Sequence, residues 1–459
     1  MPGRNTSLAV LACTCLVVTV VASADEIENV RDTQRNLNAI QSVYRNGVPH
    51  TDKTGRLMMN YDPQKSFFQI GSWGVPLPGK VYGYQYDWNV LKTAGYNTAW
   101  TWGGVPKPSL AAGSKYGLQI VVMGEISDPD LAAVKDSPNL LGNVWYDEPI
   151  GNLGTPKMDT LFADFTAYRG KVHKTAPHLP IFVNDAPWIM APATSWWLKW
   201  DQAGDVSCQD NYPVMDHTAR ASSIGADPNG IPQSVSLGVA SSQEKKPVWL
   251  IVGAFEQPGE YGQAFPFRYP SPEQLRACVY AGVIHGATGI VYFTWDTYVS
   301  RDGEVRGMSP NPQVSYAPNP RQAGATHPSP ATPTQMVKAR ALWDMAAQIN
   351  KELIELTPAI LSPTVGPEIA YAVNVEGKSP TATPIRTLLK PSPDGGYILL
   401  TVNIDDAVLK TTYAFPKPIE SAQVLFENRP AQSLTAGSKN AVLTYEPFDT
   451  HIVKIKLKP

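Results

Sequence analysis

The sequence has 459 residues, of which 43% are hydrophobic and 17% charged, so the chain can bury a large core and is not an intrinsically disordered protein. The formal net charge is −2 without any basic cluster, which argues against a nucleic-acid partner or an anionic membrane surface. Aromatic residues make up 10%, a supply common in sugar-binding proteins, although most buried aromatic side chains simply fill a core.

The first 24 residues are typical of a secretory signal peptide. Arg4 supplies a small positive region, the stretch from Leu8 to Val21 is nearly all apolar, and Ala22-Ser23-Ala24 fits the small-residue cleavage rule. The apolar stretch is short for a membrane span, and no second run of spanning length follows it. We therefore expect cleavage after Ala24 and a secreted or periplasmic protein without a membrane partner.

The cysteine count leaves two alternatives for the mature protein. Cys13 and Cys15 lie inside the signal peptide, so Cys208 and Cys278 remain. An exported protein can join such a pair in a disulfide, and two buried free thiols are the equally weighted alternative. No Cys/His spacing suggests zinc, so we expect neither a metal nor a cofactor.

Strand-like and helical segments alternate between residues 66 and 295. Helical segments are predicted at Tyr84–Ala94, Asp128–Val134, Met158–Lys174 and Ser271–His285. The eight strand-like segments are Ser66–Gly74, Tyr96–Trp102, Leu118–Met123, Leu140–Tyr146, Pro180–Asn184, Asp205–Asp210, Pro247–Phe255 and Gly289–Trp295. This rhythm over ~230 residues predicts a (β/α)8 TIM barrel. A doubly wound open sheet is the alternative, but the Gly-rich phosphate turn that it needs after the first strand is poor.

The remaining segments complete an α/β architecture of two domains. Residues 25–358 would form the barrel with an N-terminal extension, and Met336–Leu356 would be its last helix. Residues 299–333 are dense in Pro, Gly, Ser and Asn and should lie over the barrel mouth as a lid or a disordered loop. Residues 359–459 contain short β segments separated by turns such as Asp394-Gly395-Gly396, which predicts a small antiparallel β-sandwich.

Acidic and aromatic residues recur where the predicted strands end, while the strand interiors are apolar. The carboxyl ends of barrel strands meet at one mouth, and chemistry in this fold takes place there. Several acids around one cavity should raise some carboxyl pKa values, which keeps one of them protonated as a proton donor. The residues at this edge are Trp73, Trp102, Glu125, Asp147, Glu148, Asp185, Asp210, Tyr212, Glu256, Trp295 and Asp296.

Two of these acids predict a catalytic pair. Pro149 cannot donate to a sheet ladder, so the fourth strand should stop at Glu148, and Glu256 follows the seventh strand across the barrel. Glycoside hydrolysis needs one carboxyl to protonate the leaving oxygen and another to attack the anomeric carbon or activate water. We predict Glu148 as general acid/base and Glu256 as nucleophile of a retaining pair ~5.5 Å apart. Glu260 or Asp210 as nucleophile, and an inverting mechanism, remain open.

The other residues of this edge are predicted to bind substrate. Trp73, Trp102 and Trp295 would be stacking platforms for sugar rings, against plain packing at the rim. The polar residues Asp147, Asp185, Asp210, Tyr212 and Asp296 would contact hydroxyl groups or orient the nucleophile, against strand-end caps and turns. Trp196, Trp197 and Trp200 are better explained as core or lid packing.

Five stretches and a C-terminal pattern resemble the clan A glycoside hydrolases. The stretches are LKTAGYNTAW (91–100), YGLQIVV (116–122), WYDEP (145–149), DNYPV (210–214) and PEQLRACVYAGVIHGATGIVYFTW (272–295), and a β-sandwich after the helix LWDMAAQINKEL (342–353) also recurs there. The resemblance implies a barrel glycosidase with its acid/base on the fourth strand and its nucleophile on the seventh. Two features depart from the pattern. Asp147 precedes Glu148 where the clan usually has Asn, and Gly253 stands nearer the aligned nucleophile position than Glu256 does.

The sequence therefore predicts an exported, retaining glycosidase that acts on a polysaccharide or an oligosaccharide. The alternative is a non-catalytic carbohydrate-binding protein on the same barrel, which the displaced seventh-strand acid favours. A metal-dependent hydrolase using the acidic rim is a third interpretation, and the lack of a His pair near those acids weighs against it.

Overall fold

The structure is a computed structural model that describes residues 44–81, 84–102, 106–187, 193–214, 224, 230–257, 267–300, 303–309, 331–365, 372–376, 384–427 and 434–459. The predicted signal peptide, Glu260 and residues 310–330 of the predicted lid lie outside them. No helix in this part of the chain is long and apolar enough to cross a membrane.

Eight parallel strands close into a barrel, which confirms the predicted fold. In chain order they are β1 Gln69–Ser72, β2 Thr98–Trp102, β3 Gln119–Met123, β4 Leu140–Asp147, β5 Ile181–Asp185, β6 Ser207–Asn211, β7 Val248–Gly253 and β8 Gly289–Phe293. Each strand pairs with its neighbour in sequence, and β8 pairs with β1 to close the cylinder.

Helices follow the barrel strands and cover them from outside. They are α1 Asn89–Thr93, α2 Pro106–Tyr116, α3 Asp128–Val134, α4 Lys157–Thr175, α5 Ala193–Ala203, α6 Ile231–Ser241, α7 Pro272–His285 and α8 Pro333–Ile360. Capping boxes start α7 and α8, with Ser271 and Thr332 as the N-cap residues. The predicted helix Tyr84–Ala94 is wrong in its first half, because Tyr84–Tyr86 pairs with Gly79–Val81 in a hairpin before β2.

Two further small sheets flank the barrel. Strands His50–Asp52, Leu57–Met58 and Ser66–Phe67 form an antiparallel sheet before β1. Strands Tyr298–Ser300 and Gly303–Val305 form a hairpin directly after β8.

Aromatic side chains fill the inside of the barrel. Trp100, Phe182 and Trp249 meet edge to face, with ring centroids 5.1 to 6.1 Å apart. Gly289 makes room for this cluster, since a Cβ atom there would lie 2.7 Å from Cδ1 of Trp249. The lower barrel is therefore packed solid, and a ligand can enter only at the carboxyl ends of the strands.

The C-terminal domain is an antiparallel sandwich of two sheets. Its strands are β9 Ala372–Val375, β10 Ile385–Pro391, β11 Tyr397–Asn403, β12 Leu409–Ala414, β13 Ile419–Leu425, β14 Asn440–Tyr445 and β15 Thr450–Leu457. One sheet has the order β9-β12-β14 and the other β10-β11-β15-β13. The four-stranded sheet packs on α7, so side chains such as Leu400 and Val402 belong to the same core as the barrel helices.

The two cysteines in the described part of the chain are not bonded to each other. Cys208 and Cys278 are both free thiols and both buried. Of the two alternatives left by the sequence, the structure has the buried thiols.

Candidate active site

Glu148 leaves the sheet at the end of β4 in a conformation rare for a residue with a side chain. Its φ of 49° and ψ of 59° are left-handed, and its backbone N–H donates to the carbonyl of Asn184 at 2.8 Å. Pro149 then opens a short 3-10 helix, Pro149–Asn152. Such backbone costs on the order of 1–3 kcal/mol and clusters at functional sites. Here it ends the ladder and leaves the Glu148 side chain exposed.

Asp147 lies beside Glu148 and is held by an amide from the neighbouring strand. Nδ2 of Asn184 donates to Oδ1 of Asp147 at 2.9 Å. Asp147 as a whole residue is exposed, but its carboxyl group is surrounded by protein atoms. This desolvation, followed by the charge of Glu148, raises the pKa of Asp147 to about 7, against the hydrogen bond from Asn184.

Asp185 ends β5 and is almost completely buried, with 1% of its surface exposed. Its Oδ1 accepts from the backbone N–H groups of Ile150 and Ala186, while its Oδ2 is buried without a hydrogen-bond partner. Burial raises the pKa of Asp185 well above its ordinary value, and the charges of Glu148 and Asp147 add to the shift. The backbone contacts tie Asp185 to the turn that carries Glu148.

Asp210 on β6 forms a carboxyl pair with Glu148. Asp210 is 5% exposed, and the Glu148 carboxyl group is close enough to raise the pKa of Asp210 through its charge and through side-chain hydrogen bonding. Burial raises the pKa of Asp210 well above its ordinary value, and the charges of Glu148, Asp147 and Asp185 add to the rise. The structure thus brings together four predicted site acids from three adjacent strands: Asp147, Glu148, Asp185 and Asp210.

An aromatic wall stands where the resemblance would place a nucleophile. A Cβ atom on Gly253, at the end of β7, would lie 3.0 Å from Cδ1 of Tyr212. The Tyr212 ring stacks on Phe293 at 5.3 Å and meets Phe255 edge to face at 5.2 Å. Burial, then the charges of Asp210, Glu148 and Asp147, raises the pKa of Tyr212. Tyr212 therefore lines the acidic cluster while closing the strand-seven side of the mouth.

Glu256 has a different set of neighbours from the acidic cluster. Its Oε1 accepts from Nε2 of Gln335 at 2.6 Å, and its backbone pairs with Arg306. Oε1 of Gln335 accepts from the N-cap Thr332, so the Glu256 carboxylate sits at the N-terminus of α8, a favourable place for a negative charge. Its charge also contributes to raising the pKa of Tyr269, after burial. These contacts give Glu256 a structural role at the start of α8, and none of them joins it to Glu148. Its role as nucleophile therefore stays a prediction.

The three tryptophans predicted as platforms differ sharply in exposure. Trp102 at the end of β2 is 58% exposed and meets Trp73 edge to face at 5.9 Å. Trp73 is 3% exposed and packs on Trp100, and Trp295 is 4% exposed and packs on Tyr86. Only Trp102 of the three has an open ring face, so the structure supports a platform role for it alone.

The loop after β8 brings further polar groups to the mouth. Asp296 is buried and accepts from the hydroxyl of Tyr86 at 3.4 Å and from the backbone N–H of Thr297 at 2.9 Å. Tyr298 is half-buried next to the acids. Burial first, then the charges of Asp147, Asp296 and Glu148, raises its pKa. Tyr298 therefore faces two of the charges that act on Tyr212, those of Asp147 and Glu148.

The remaining candidates lie away from the acidic cluster. Glu125 is exposed and forms an ion pair with Lys171 at 3.6 Å. Trp197 and Trp200 are buried, and Trp200 packs on Phe162, in agreement with the predicted core role. No three His, Cys, Asp or Glu side chains in the described part of the chain are arranged to hold a metal ion.

Sequence reasoning missed three residues of the site: Asn184, Tyr298 and Tyr86. Asn184 immediately precedes the predicted Asp185, and its hydrogen bond to Asp147 on the neighbouring strand makes it part of the site. Tyr86 was assigned to a helix and Tyr298 to no element, and no local pattern connects either of them with the acids.

Comparison with solved structures finds glycoside hydrolases built on the same barrel. A family 5 glycoside hydrolase from Bacteroides vulgatus has a TM-score of 0.50 and 14% identity, over 91% of this chain and 94% of that one. A protein described as a glycoside hydrolase has a TM-score of 0.49 and 13% identity, over 90% and 98%. An exo-carrageenase of family 42 from Bacteroides ovatus has a TM-score of 0.47 and 10% identity, over 91% and 86%. At such identities the likeness shows the fold alone. No protein-family model and no curated protein sequence matches the chain.

Proposed function

We propose that this protein is an exported glycoside hydrolase that cleaves O-glycosidic bonds in a polysaccharide or an oligosaccharide. One observation carries the proposal: the exposed Glu148 is paired with the buried Asp210 at the mouth of a glycosidase-like barrel. The open ring of Trp102 at the same end supports it, because an aromatic face packs well on a sugar ring. The amino-terminal signal motivates the export.

In this proposal Glu148 is the general acid. It gives its proton to the glycosidic oxygen as the bond to the anomeric carbon breaks, and the sugar passes through an oxocarbenium-like transition state. The neighbouring acids favour this transition state, because their charges stabilise developing positive charge at the ring. Glu148 then takes the proton of the water that completes the hydrolysis.

The retaining form of the reaction needs a carboxylate that attacks the anomeric carbon. Glu256 is the residue predicted for this step, and it would have to exchange its hydrogen bond with Gln335 for the substrate. In the inverting form a water molecule attacks from the opposite face and gives its proton to a second carboxylate on that face, while Glu256 keeps its contact with α8. The stereochemistry of the first product separates the two forms.

The test begins with a screen of plant, bacterial and fungal polysaccharides for reducing-end release, with the product anomer followed by proton NMR. Glu148→Gln should lower kcat by 100-fold or more, because a lost general acid costs that much. Glu256→Gln should do the same only in the retaining form. Glu125→Gln is the matched control, since Glu125 is an exposed acid paired with Lys171 outside the cluster.

Three outcomes contradict parts of this scheme. A Glu148→Gln variant that keeps more than about a tenth of the activity removes Glu148 from the reaction. Retention of configuration with a fully active Glu256→Gln variant removes Glu256 as nucleophile. If the protein binds carbohydrate but releases no product from any polymer, it is a carbohydrate-binding protein and not an enzyme. Tyr212, which fills the space above Gly253, would then explain why no nucleophile stands there.

A further inference from the structure

We propose that Asp210 stores the proton that Glu148 delivers to the departing oxygen, and is thus a positioning residue that acts through Glu148. This inference rests on the proposed function and deepens it, because it assigns to a second residue the supply of the reacting proton. For Asp210 the sequence suggested substrate contact, orientation of the nucleophile or the role of nucleophile itself.

The register of β4, β5 and β6 places Glu148 and Asp210 at the same end of the sheet. In the parallel sheet Asn184 on β5 pairs with Asp147 on β4 and with Cys208 on β6. Glu148 directly follows Asp147, and Asp210 lies two residues after Cys208, on the same face of β6. Asp210 therefore faces the same side of the sheet as Asn184 and Asp147, and Glu148 is the first of the charged neighbours that act on its carboxyl group.

Asp210 is buried among other acidic groups. Glu148 is open to the mouth, whereas Asp210 is 5% exposed and its Oδ1 receives no N–H or hydroxyl donor. The charged groups that act on Asp210 are Glu148 and Asp147 from β4 and Asp185 from β5, all of them acidic. The titratable groups beside it from its own segment are the Cys208 thiol and the Tyr212 phenol, and the phenol also interacts with Asp210 by side-chain hydrogen bonding. Two carboxylates in hydrogen-bond contact cannot both ionise in such surroundings, so the pair holds one proton between them.

The proton balance of the step is simple. In the resting pair the Asp210 hydroxyl donates to the Glu148 carboxylate. As the glycosidic bond breaks, the Asp210 proton moves to Glu148 and from there to the leaving oxygen, so both groups are carboxylates while positive charge develops on the sugar. The water that attacks the sugar releases one proton, which returns to the pair and restores it. Atoms and charge balance without any further reactant.

The first experiment compares leaving groups. The substrates are glycosides of whichever sugar the screen releases, one carrying a dinitrophenyl group that departs without protonation and one carrying an alkyl group that needs it. Asp210→Asn cannot store a proton, so kcat/KM should fall by about 100-fold or more for the alkyl glycoside and by less than about 10-fold for the dinitrophenyl glycoside. The alkaline limb of its pH profile should also move to lower pH, because the amide introduced at this position would donate to ionised Glu148.

Asp201→Asn is the matched control. Asp201 on α5 is also a carboxyl group with 5% exposure, but its partner is Ser241 on α6, on the outer side of the barrel. The same chemical change there should leave the leaving-group ratio and the pH profile unaltered. An equal loss for both glycosides in Asp210→Asn would overturn the inference, because a lost sugar contact does not distinguish leaving groups.

A second readout does not depend on turnover. Carbon NMR of the protein labelled at the Asp carboxyl carbons, with Asp210→Asn to identify its signal, follows the protonation of Asp210 directly. We expect a protonated Asp210 at pH 6 in the wild type and a titration that changes in Glu148→Gln. An ionised Asp210 at pH 6 would overturn the inference even in an active enzyme. A protonated Asp210 in a protein that cleaves no glycoside would reject the proposed function and leave the proton pair standing.

Discussion

Trp102→Ala should weaken carbohydrate binding without destabilising the fold. A Trp side chain offers roughly 200 Å² of contact surface, so 58% exposure leaves on the order of 120 Å² open at the mouth. A sugar ring that covers about 80 Å² of it gains about 2 kcal/mol at ~25 cal/mol per Å², which is about 30-fold in Kd. Isothermal titration of the inactive Glu148→Gln protein with the oligosaccharide found in the screen, with and without the Trp102 change, measures this loss.

Trp73→Ala provides the contrast for this experiment. Trp73 is 3% exposed and packs on Trp100, so its truncation should cost about 3–5 kcal/mol of folding free energy. Trp102→Ala removes only an edge contact with Trp73, worth ~1 kcal/mol, and should lower Tm by less than about 4 °C. Unchanged affinity in Trp102→Ala, or a fall in Tm as large as that of Trp73→Ala, would refute the assignment of Trp102 as the platform.

Two further predictions concern stability. Burial raises the pKa of Asp201 to about 6, so the folded state binds more protons than the unfolded chain between about pH 4 and 6, and stability is lost as pH rises through that window. Because Asp201→Asn removes the ionisable group, the variant should be about 3 kcal/mol more stable than the wild type in urea unfolding at pH 7. At pH 4 the two proteins should be equally stable. Glu352 accepts from Arg276 and from the hydroxyl of Tyr280 between α7 and α8. Glu352→Gln should cost about 3–5 kcal/mol in the same assay, because it leaves a buried guanidinium unpaired, and a cost below about 1 kcal/mol would contradict that view.

The barrel could be predicted because strands such as β3, β7 and β8 are continuous apolar runs, as expected of strands covered on both faces. Strand β10 escaped prediction because Arg386 and Lys390 interrupt its apolar pattern. The Lys390 amine is nevertheless buried and donates to the carbonyl of Ser362 at 2.7 Å, so tertiary contact overrides the local pattern. Helix α6 was missed for a related reason, since its Ser and Gly residues have weak helix propensity and are buried by packing alone.

The site was partly readable for similar physical reasons. Glu148 is marked locally by the proline that ends its strand, and the position of Asp210 follows from its strand end. The link between the two depends on strand register, which one-dimensional spacing does not reveal. Spacing suggested Glu256 as the partner of Glu148, but Gly253 ends β7 and the chain beyond it turns towards α8.

Helix α7 has no side open to water, since its residues from Gln274 to His285 are all buried. One flank lies on the barrel strand β7 and the other on β10, β11 and β15. The four-stranded sheet of the C-terminal sandwich thus covers the side of α7 that faces away from the barrel. A protein cut after α8 would present that apolar flank to solvent, so the barrel depends on the C-terminal sandwich to keep α7 buried.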